Sequence, residues 1–194
     1  RGARTTAFRL GEAVLIDAGT GVGDLELEEM AAIRHVFLTH SHLDHVGFLP
    51  LLLDSVFDLL AEPITVHARP ETCQALRDHL FNGVLWPDFT RLPSAEAPVV
   101  RFAPMEPGEA RTQEGWTVEM LPARHAVPAA GYLMSDGRHT LAFSGDCTSN
   151  EELWAALNAA DRLEHLLVEA AFPNAKGRLA RQAGHYTPAM LAGD

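Results

Sequence analysis

The chain has 194 residues, and its 47% hydrophobic and 21% charged content is typical of a soluble globular protein of one domain. Its net charge of −11 would repel phosphate backbones, which argues against long DNA or RNA as a partner. Two cysteines are too few for a disulfide framework, and no apolar run approaches the length of a membrane span. We therefore expect a reduced, cytoplasmic protein that does not associate with membranes.

In the first half of the chain, apolar runs bounded by turn residues predict alternating strands and helices. One of these helices contains Pro50, which its first turn tolerates. A proline-rich stretch at residues 81–107 is expected to be mostly loop. The predicted elements are strands at residues 13–17, 33–39, 64–68 and 99–102 and helices at residues 49–60 and 70–80.

The second half continues this pattern and adds clear turn and cap signals. Asp136-Gly137 predicts a hairpin, residues 149–152 (SNEE) predict a capping box that opens a helix, and Thr187-Pro188 predicts a further helix start. Because strands and helices alternate over the whole chain, we expect an α/β sandwich of packed layers. The predicted strands of this half lie at residues 116–121, 131–135, 140–144 and 165–169.

The sequence His40-Ser41-His42-Leu43-Asp44-His45 follows a predicted strand and places four potential metal ligands within six residues. Imidazole and carboxylate groups suit zinc, manganese or iron. His40 and His42 can share one side of an extended segment, since alternate residues point the same way. Asp44 and His45, on the turn that follows, can reach a neighbouring ion. The motif therefore indicates a site for two metal ions.

Two further candidate ligands follow predicted strands of the second half. His125 comes shortly after the strand at residues 116–121, and Asp146 follows Gly145 at the end of the next hairpin. A carboxylate can bridge two metal ions. Either residue alone could be an ordinary polar side chain, but beside the first motif both are expected to be ligands. Asp17 is expected to anchor the loop near the metals rather than to bind them.

Together these features resemble the metallo-β-lactamase superfamily. The resemblance rests on the H-x-H-x-D-H motif after a strand, an upstream Ile16-Asp17-Ala18-Gly19, the later His125 and Ser144-Gly145-Asp146. It implies an αβ/βα four-layer sandwich. Within the superfamily, three stretches resemble the class II cyclic-nucleotide phosphodiesterases: residues 40–45, residues 82–90 (NGVLWPDFT), and Glu169 followed by residues 184–188 (GHYTP).

The resemblance implies a role for each candidate residue. His40, His42 and His125 would hold the first of two divalent ions, Asp44 and His45 would hold the second, and Asp146 would bridge them. Zinc is the first expectation for both ions, with manganese or iron as alternatives. The superfamily usually supplies one more histidine to the second ion. Either the C-terminal strand and helix that carry it are missing, which we expect, or His185 fills that position. The glycine-rich first strand usual for the fold is also expected to be missing, so residues 1–194 would be a single domain without these elements.

The implied reaction is phosphodiester hydrolysis. Two divalent ions lower the pKa of a bridging water, and the resulting hydroxide attacks phosphorus opposite the leaving sugar oxygen. His185 is the expected general acid, and Glu169 is expected to orient its imidazole. Asp44, His185 and Glu169 are therefore the expected catalytic residues.

Three functional hypotheses follow from these expectations. The first is hydrolysis of 3′,5′-cyclic nucleotides such as cAMP or cGMP, with a small nucleotide as the partner. The second is hydrolysis of another phosphodiester or ester, as in ribonuclease Z, although this acidic chain shows no basic RNA-binding arm. The third is a non-catalytic metal-binding module. Residues 85–87 (LWP) could also form the interface of a homodimer.

Overall fold

The structure is a computed structural model that describes residues 2–194 and divides into two compact units. The first unit ends at Met105, and the second is Glu106–Asp194. Each unit is built around one five-stranded sheet. The prediction of a single domain for the whole chain stays a prediction. Among residues 2–194, no helix combines the length and the apolar character needed to cross a bilayer.

The first unit has a mixed sheet in the order β1-β2-β3-β4-β5. The first pair of strands is antiparallel, and the other pairs are parallel. Parallel strands covered on both faces are expected to be continuously apolar, and all three residues of the second strand are buried. The elements are β1 (Phe8–Leu10), β2 (Val14–Ile16), α1 (Leu27–Ala32), β3 (His35–Phe37), α2 (Leu43–Val46), α3 (Leu49–Ser55), β4 (Ile64–Ala68), α4 (Pro70–His79) and β5 (Val100–Pro104).

The helix predicted at residues 49–60 is shorter in the structure. α3 ends at Ser55, and a 3-10 turn at Phe57–Leu59 follows it. Val56 between them leaves the helical conformation with φ −106° and ψ 6°. The apolar spacing misled the prediction because the 3-10 turn keeps Phe57 and Leu60 packed against the same core.

The second unit has a sheet in the order β10-β9-β8-β7-β6, in which only the β10–β9 pair is parallel. Leu153 and Leu157 of its longest helix are buried in the core of this unit, together with Tyr186. A 3-10 turn lies at Asn174–Lys176. The elements are β6 (Ala110–Gln113), β7 (Trp116–Ala123), β8 (Ala129–Ser135), β9 (Thr140–Phe143), α5 (Glu151–Ala159), β10 (His165–Leu167), α6 (Gly177–Ala183) and α7 (Pro188–Leu191).

The turn and cap predictions in this unit are confirmed with one correction. Asp136 accepts hydrogen bonds from two backbone N–H groups of the β8–β9 turn, which lowers its pKa, and Gly137 has a φ of 83°. The side chain of Thr187 caps α7. The cap of α5 is Asn150 rather than Ser149, because the Asn150 side chain accepts from the Glu152 N–H while the Ser149 hydroxyl donates to Asp194.

Candidate metal centre

In the first unit, His40 and His42 lie just beyond the end of β3 and face each other. His40 is fully buried, and its Nε2 is 3.0 Å from Nδ1 of His42. The segment between β3 and α2 is extended at His42, with φ −67° and ψ 145°. The prediction that these two side chains share one side of the segment is therefore confirmed.

The carboxylate of Asp17 fixes the orientation of the histidines around it. It accepts hydrogen bonds from the Thr39 backbone N–H at 2.7 Å and from Nδ1 of His45 at 2.7 Å. The Thr39 hydroxyl donates its single proton to this carboxylate and must therefore accept from Nδ1 of His40, 3.0 Å away. In both histidines Nδ1 is committed to a partner, which leaves Nε2 as the atom that can bind a metal.

Asp17 holds this position in an unusual backbone conformation. It is fully buried and has a φ of 58°, a left-handed conformation that costs free energy for a residue other than glycine. Burial raises the pKa of its carboxyl, and the hydrogen bonds from His45 and Thr39 oppose that rise. Two residues on, a side chain at Gly19 would overlap the Asp44 carbonyl oxygen, so the tight turn requires glycine. The predicted anchoring role of Asp17 agrees with these contacts.

Asp44 and His45 lie on α2, a single helical turn that starts directly after His42. Their nearest polar atoms, Nε2 of His45 and a carboxylate oxygen of Asp44, are 3.7 Å apart. The Asp44 side chain is 56% exposed, whereas that of His45 is 2% exposed. Nε2 of His45 therefore points from the buried side toward a carboxylate at the surface, an arrangement that can hold a cation.

In the second unit, His125, Asp146 and His185 come together. Each offers a ligand atom within 4.8 Å of those of the other two. His125 follows β7, Asp146 follows β9 through Gly145 with its φ of 61°, and His185 follows α6. The sequence predicted His125 and Asp146 as ligands. His185 was expected to act as the general acid or, as the alternative, to fill the missing ligand position, and its place beside His125 and Asp146 is compatible with either role.

The backbone around Gly184 positions both histidines of this group. Nδ1 of His125 donates to the Gly184 carbonyl at 2.9 Å, which again leaves Nε2 for a metal. Gly184 ends α6 with a φ of 75°, and a side chain there would lie 2.7 Å from the Ala126 nitrogen. Only glycine therefore allows α6 to end so close to the His125 segment.

Glu169 follows β10 and makes a close pair with His185. Nδ1 of His185 is 2.7 Å from a carboxylate oxygen of Glu169. The same carboxylate accepts from the backbone N–H groups of Cys147 and Ala171. Burial raises the pKa of the Cys147 thiol to about 12, so this cysteine is protonated at neutral pH. The paired Glu169 leaves Nε2 of His185 as the atom that can exchange a proton.

The donor atoms fit a divalent metal. Two imidazole nitrogens bound to one tetrahedral zinc ion at about 2.0–2.1 Å are about 3.3 Å apart. The nitrogens of His40 and His42 are 3.0 Å apart, within reach of that arrangement. Nitrogen and carboxylate donors accept zinc, manganese and iron alike, so the residues do not select one metal.

Most of the chain matches a family model described as the beta-lactamase superfamily domain, over residues 12–192. The chain belongs to the metallo-β-lactamase superfamily. This membership confirms the predicted family. The two mixed sheets with their helices, and the similarity to solved structures of this fold, confirm the predicted fold class. Superfamily hydrolases of this fold typically bind divalent metals, in agreement with the His and Asp groups above.

The relatives of this chain include proteins named as phosphodiesterases and proteins named as ribonucleases. A probable 3′,5′-cyclic-nucleotide phosphodiesterase of Yersinia pestis is 30% identical over 82% of this chain and 49% of the relative. A ribonuclease Z of Halorubrum lacusprofundi is 30% identical over 66% of this chain and 40% of the relative. The crystal structure of unliganded yeast PDE1 has a TM-score of 0.72 at 24% identity, over 86% of this chain and 52% of that one. The chain thus spans about half the length or less of these proteins.

Proposed function

We propose that this superfamily hydrolase is a metal-dependent phosphodiesterase and that its substrates are 3′,5′-cyclic nucleotides such as cAMP or cGMP. The observation that carries the proposal is the Glu169–His185 pair beside His125 and Asp146. A proton-donating pair next to metal ligands is what cleavage of an alkyl phosphodiester requires. The sequence similarity to two relatives named as 3′,5′-cyclic-nucleotide phosphodiesterases favours this substrate class.

The proposed ligand set follows the superfamily resemblance. His40, His42 and His125 would hold the first divalent ion, Asp44 and His45 would hold the second, and Asp146 would serve both. Support comes from the Nδ1 partners of His40, His45 and His125, which orient each Nε2 as a metal ligand. When bound, the ions supply phosphate charge neutralisation and water activation.

Two residues of the second unit, His185 and Glu169, have separate roles in proton transfer. His185 donates a proton from Nε2 to the leaving sugar oxygen, because its Nδ1 is held by Glu169. Glu169 keeps the imidazole in one tautomer and orientation, and its two backbone donors hold the carboxylate in place. Glu169 is thus a positioning residue, and His185 is the catalytic acid.

A second candidate function is hydrolysis of another phosphodiester, as in ribonuclease Z. The similarity to the Halorubrum ribonuclease Z favours it. The net charge of −11 counts against a long RNA, because bound polyanions require compensating positive charge. A short or cyclic substrate therefore fits the chain better.

The proposal is tested by comparing two substrates that differ in their need for an acid. cAMP has an alkoxide leaving group, whereas bis(p-nitrophenyl) phosphate has a leaving group that departs without protonation. With zinc or manganese, His185→Gln is expected to lower cAMP turnover about 10²- to 10⁴-fold and to affect the aryl diester far less. His165→Gln, an exposed histidine on β10 of the same unit, is the matched control.

Each other outcome changes the account in a defined way. An equal loss on both substrates would remove the acid role from His185. Cleavage of the aryl diester without cleavage of cAMP would keep the metal hydrolase and discard the cyclic substrate. Bound metal without turnover of either substrate would favour a non-catalytic metal-binding module.

A further inference from the structure

The second unit contains a cavity that the chemistry above does not use. Its volume is about 350 Å³, near the lower end of the range of small-molecule sites. Five of its six lining residues are polar or charged, and Met190 is the apolar one. The lining residues are Arg124, Thr148, Ser149, Arg181, Met190 and Asp194.

Two guanidinium groups line this cavity in a chain with a net charge of −11. Within residues 2–194, neither Arg124 nor Arg181 has a side-chain hydrogen bond or ion pair. The lining carboxylate, Asp194, accepts from the Ser149 and Tyr186 hydroxyls, which lower its pKa and keep it ionised. The charged lining is therefore two positive groups against one negative group.

Both arginines lie close in the chain to the histidines of the same unit, His125 and His185. Arg124 directly precedes His125, and its carbonyl accepts from the Thr148 N–H at 2.8 Å. Arg181 lies in the last turn of α6, which leads through Gly184 to His185. The hydrogen bond from His125 to the Gly184 carbonyl joins these two segments. The cavity is thus flanked by the residues that hold the candidate ligands.

We propose that this cavity binds a phosphate group distinct from the phosphorus that is hydrolysed. Guanidinium groups bind phosphate with paired, charge-assisted hydrogen bonds, and the Thr148 hydroxyl adds a further donor. The phosphate has two chemical sources. It is either a second phosphate of a linear nucleotide substrate or a free phosphate. The first source rests on the proposed phosphodiesterase function, and the second does not.

Inorganic phosphate binding to the metal-loaded protein tests the site without turnover. The variant R124Q/R181Q is compared with wild type by calorimetry, and Arg178→Gln on the same helix is the matched control. We expect a phosphate site whose Kd rises at least about tenfold in the double variant but not in the control. Phosphate bound at the metals would persist in all three proteins. Equal binding in wild type and the double variant, or equal weakening by Arg178→Gln, would overturn the proposal.

The source is distinguished by the KM values of a dinucleotide with and without a 5′-phosphate. If the second phosphate of a substrate occupies the cavity, the KM of wild type should be at least about tenfold lower for the 5′-phosphorylated dinucleotide than for the unphosphorylated one. In the double variant the ratio of these two KM values should be near one. A ratio near one in wild type, with the phosphate site intact by calorimetry, supports free phosphate as the ligand. Absence of dinucleotide turnover would exclude a substrate's second phosphate as the source, cAMP turnover would still test the proposed function, and the calorimetric result would still decide the site.

Discussion

The first unit contains two pairs of histidines with nearly equal separations between their ring nitrogens. His40 and His42 are 3.0 Å apart, and His35 and His67 are 3.1 Å apart. The first pair lies beyond the end of β3, whereas His35 and His67 lie within β3 and β4, where His67 stacks on Phe37 with ring centroids 4.3 Å apart.

The difference between these pairs lies in their surroundings. His40 is oriented through Thr39 by the Asp17 carboxylate, and His45 and Asp44 add further ligand atoms. Among residues 2–194, neither His35 nor His67 belongs to a group of three or more potential ligands. A short distance between two imidazoles therefore does not identify a metal site. A metal site is instead indicated by carboxylates that orient the imidazole rings and supply further ligand atoms.

The largest expected effect is a loss of turnover on substitution of a histidine of the first pair. His42→Ala removes a proposed ligand, and we expect turnover of a phosphodiester substrate to fall more than about 100-fold, since even residues behind the ligands cost that much. The measurement is kcat with saturating zinc or manganese. His79→Ala, at the exposed end of α4, is the control and is expected to retain wild-type turnover. Retained activity in His42→Ala would place the metal elsewhere.

The next effect concerns the carboxylate behind the pair. Asp17→Asn leaves an acceptor for the Thr39 N–H but removes the negative charge beside His45, so we expect metal affinity to fall about 10- to 100-fold. Competition with a fluorescent chelator measures this. Asp24→Asn, which loses only a surface pair with Arg4, is expected to keep the wild-type affinity. Unchanged affinity in Asp17→Asn would contradict its orienting role.

A smaller effect is expected at the other histidine pair. His67→Ala removes a buried ring that stacks on Phe37, so the free energy of unfolding should fall by about 1–3 kcal/mol while metal content stays at the wild-type level. Urea unfolding and elemental analysis of the same preparation measure both quantities. Loss of metal together with stability would remove the distinction between the pairs.

The smallest effect comes from a histidine with a carboxylate but no second imidazole. His139 pairs with Glu164 at the surface, and this hydrogen bond raises the pKa of His139 above its ordinary value. The pair therefore stabilises the fold below about pH 6.5, and its contribution is lost as pH rises through the folded pKa. We expect His139→Gln to lower Tm slightly at about pH 5.5 and not at about pH 8.5. Equal shifts at both pH values would exclude this titration.

The sequence predicted the strongly patterned elements, and of the short ones it found β2, β3 and β10 but missed β1 and α2. β4, α4 and β7 have enough apolar residues to show their period, and all were predicted close to their observed bounds. β1 has two exposed residues out of three, and α2 is a single turn inside the H-x-H-x-D-H motif. Neither is long enough for periodicity to appear.

The candidate ligands could be picked out from the H-x-H-x-D-H motif and from residues that follow predicted strands, but the orientation of their rings could not be predicted. Thr39 and Asp17 are 22 residues apart, and no pattern joins them. They meet because β2 and β3 pair in parallel with Ile16 opposite Phe37, so both strands end at the same edge of the sheet. The proximity of His185 to His125 likewise depends on the Gly184 turn, which only the folded chain shows.

The most direct test of the metal assignment is a count of bound divalent ions by elemental analysis after dialysis, in wild type, His42→Ala and His67→Ala. The metal assignment implies about two ions per chain in wild type and in His67→Ala, and fewer in His42→Ala. Wild-type protein that retains no divalent ion, or an equal loss of metal from both variants, would contradict it.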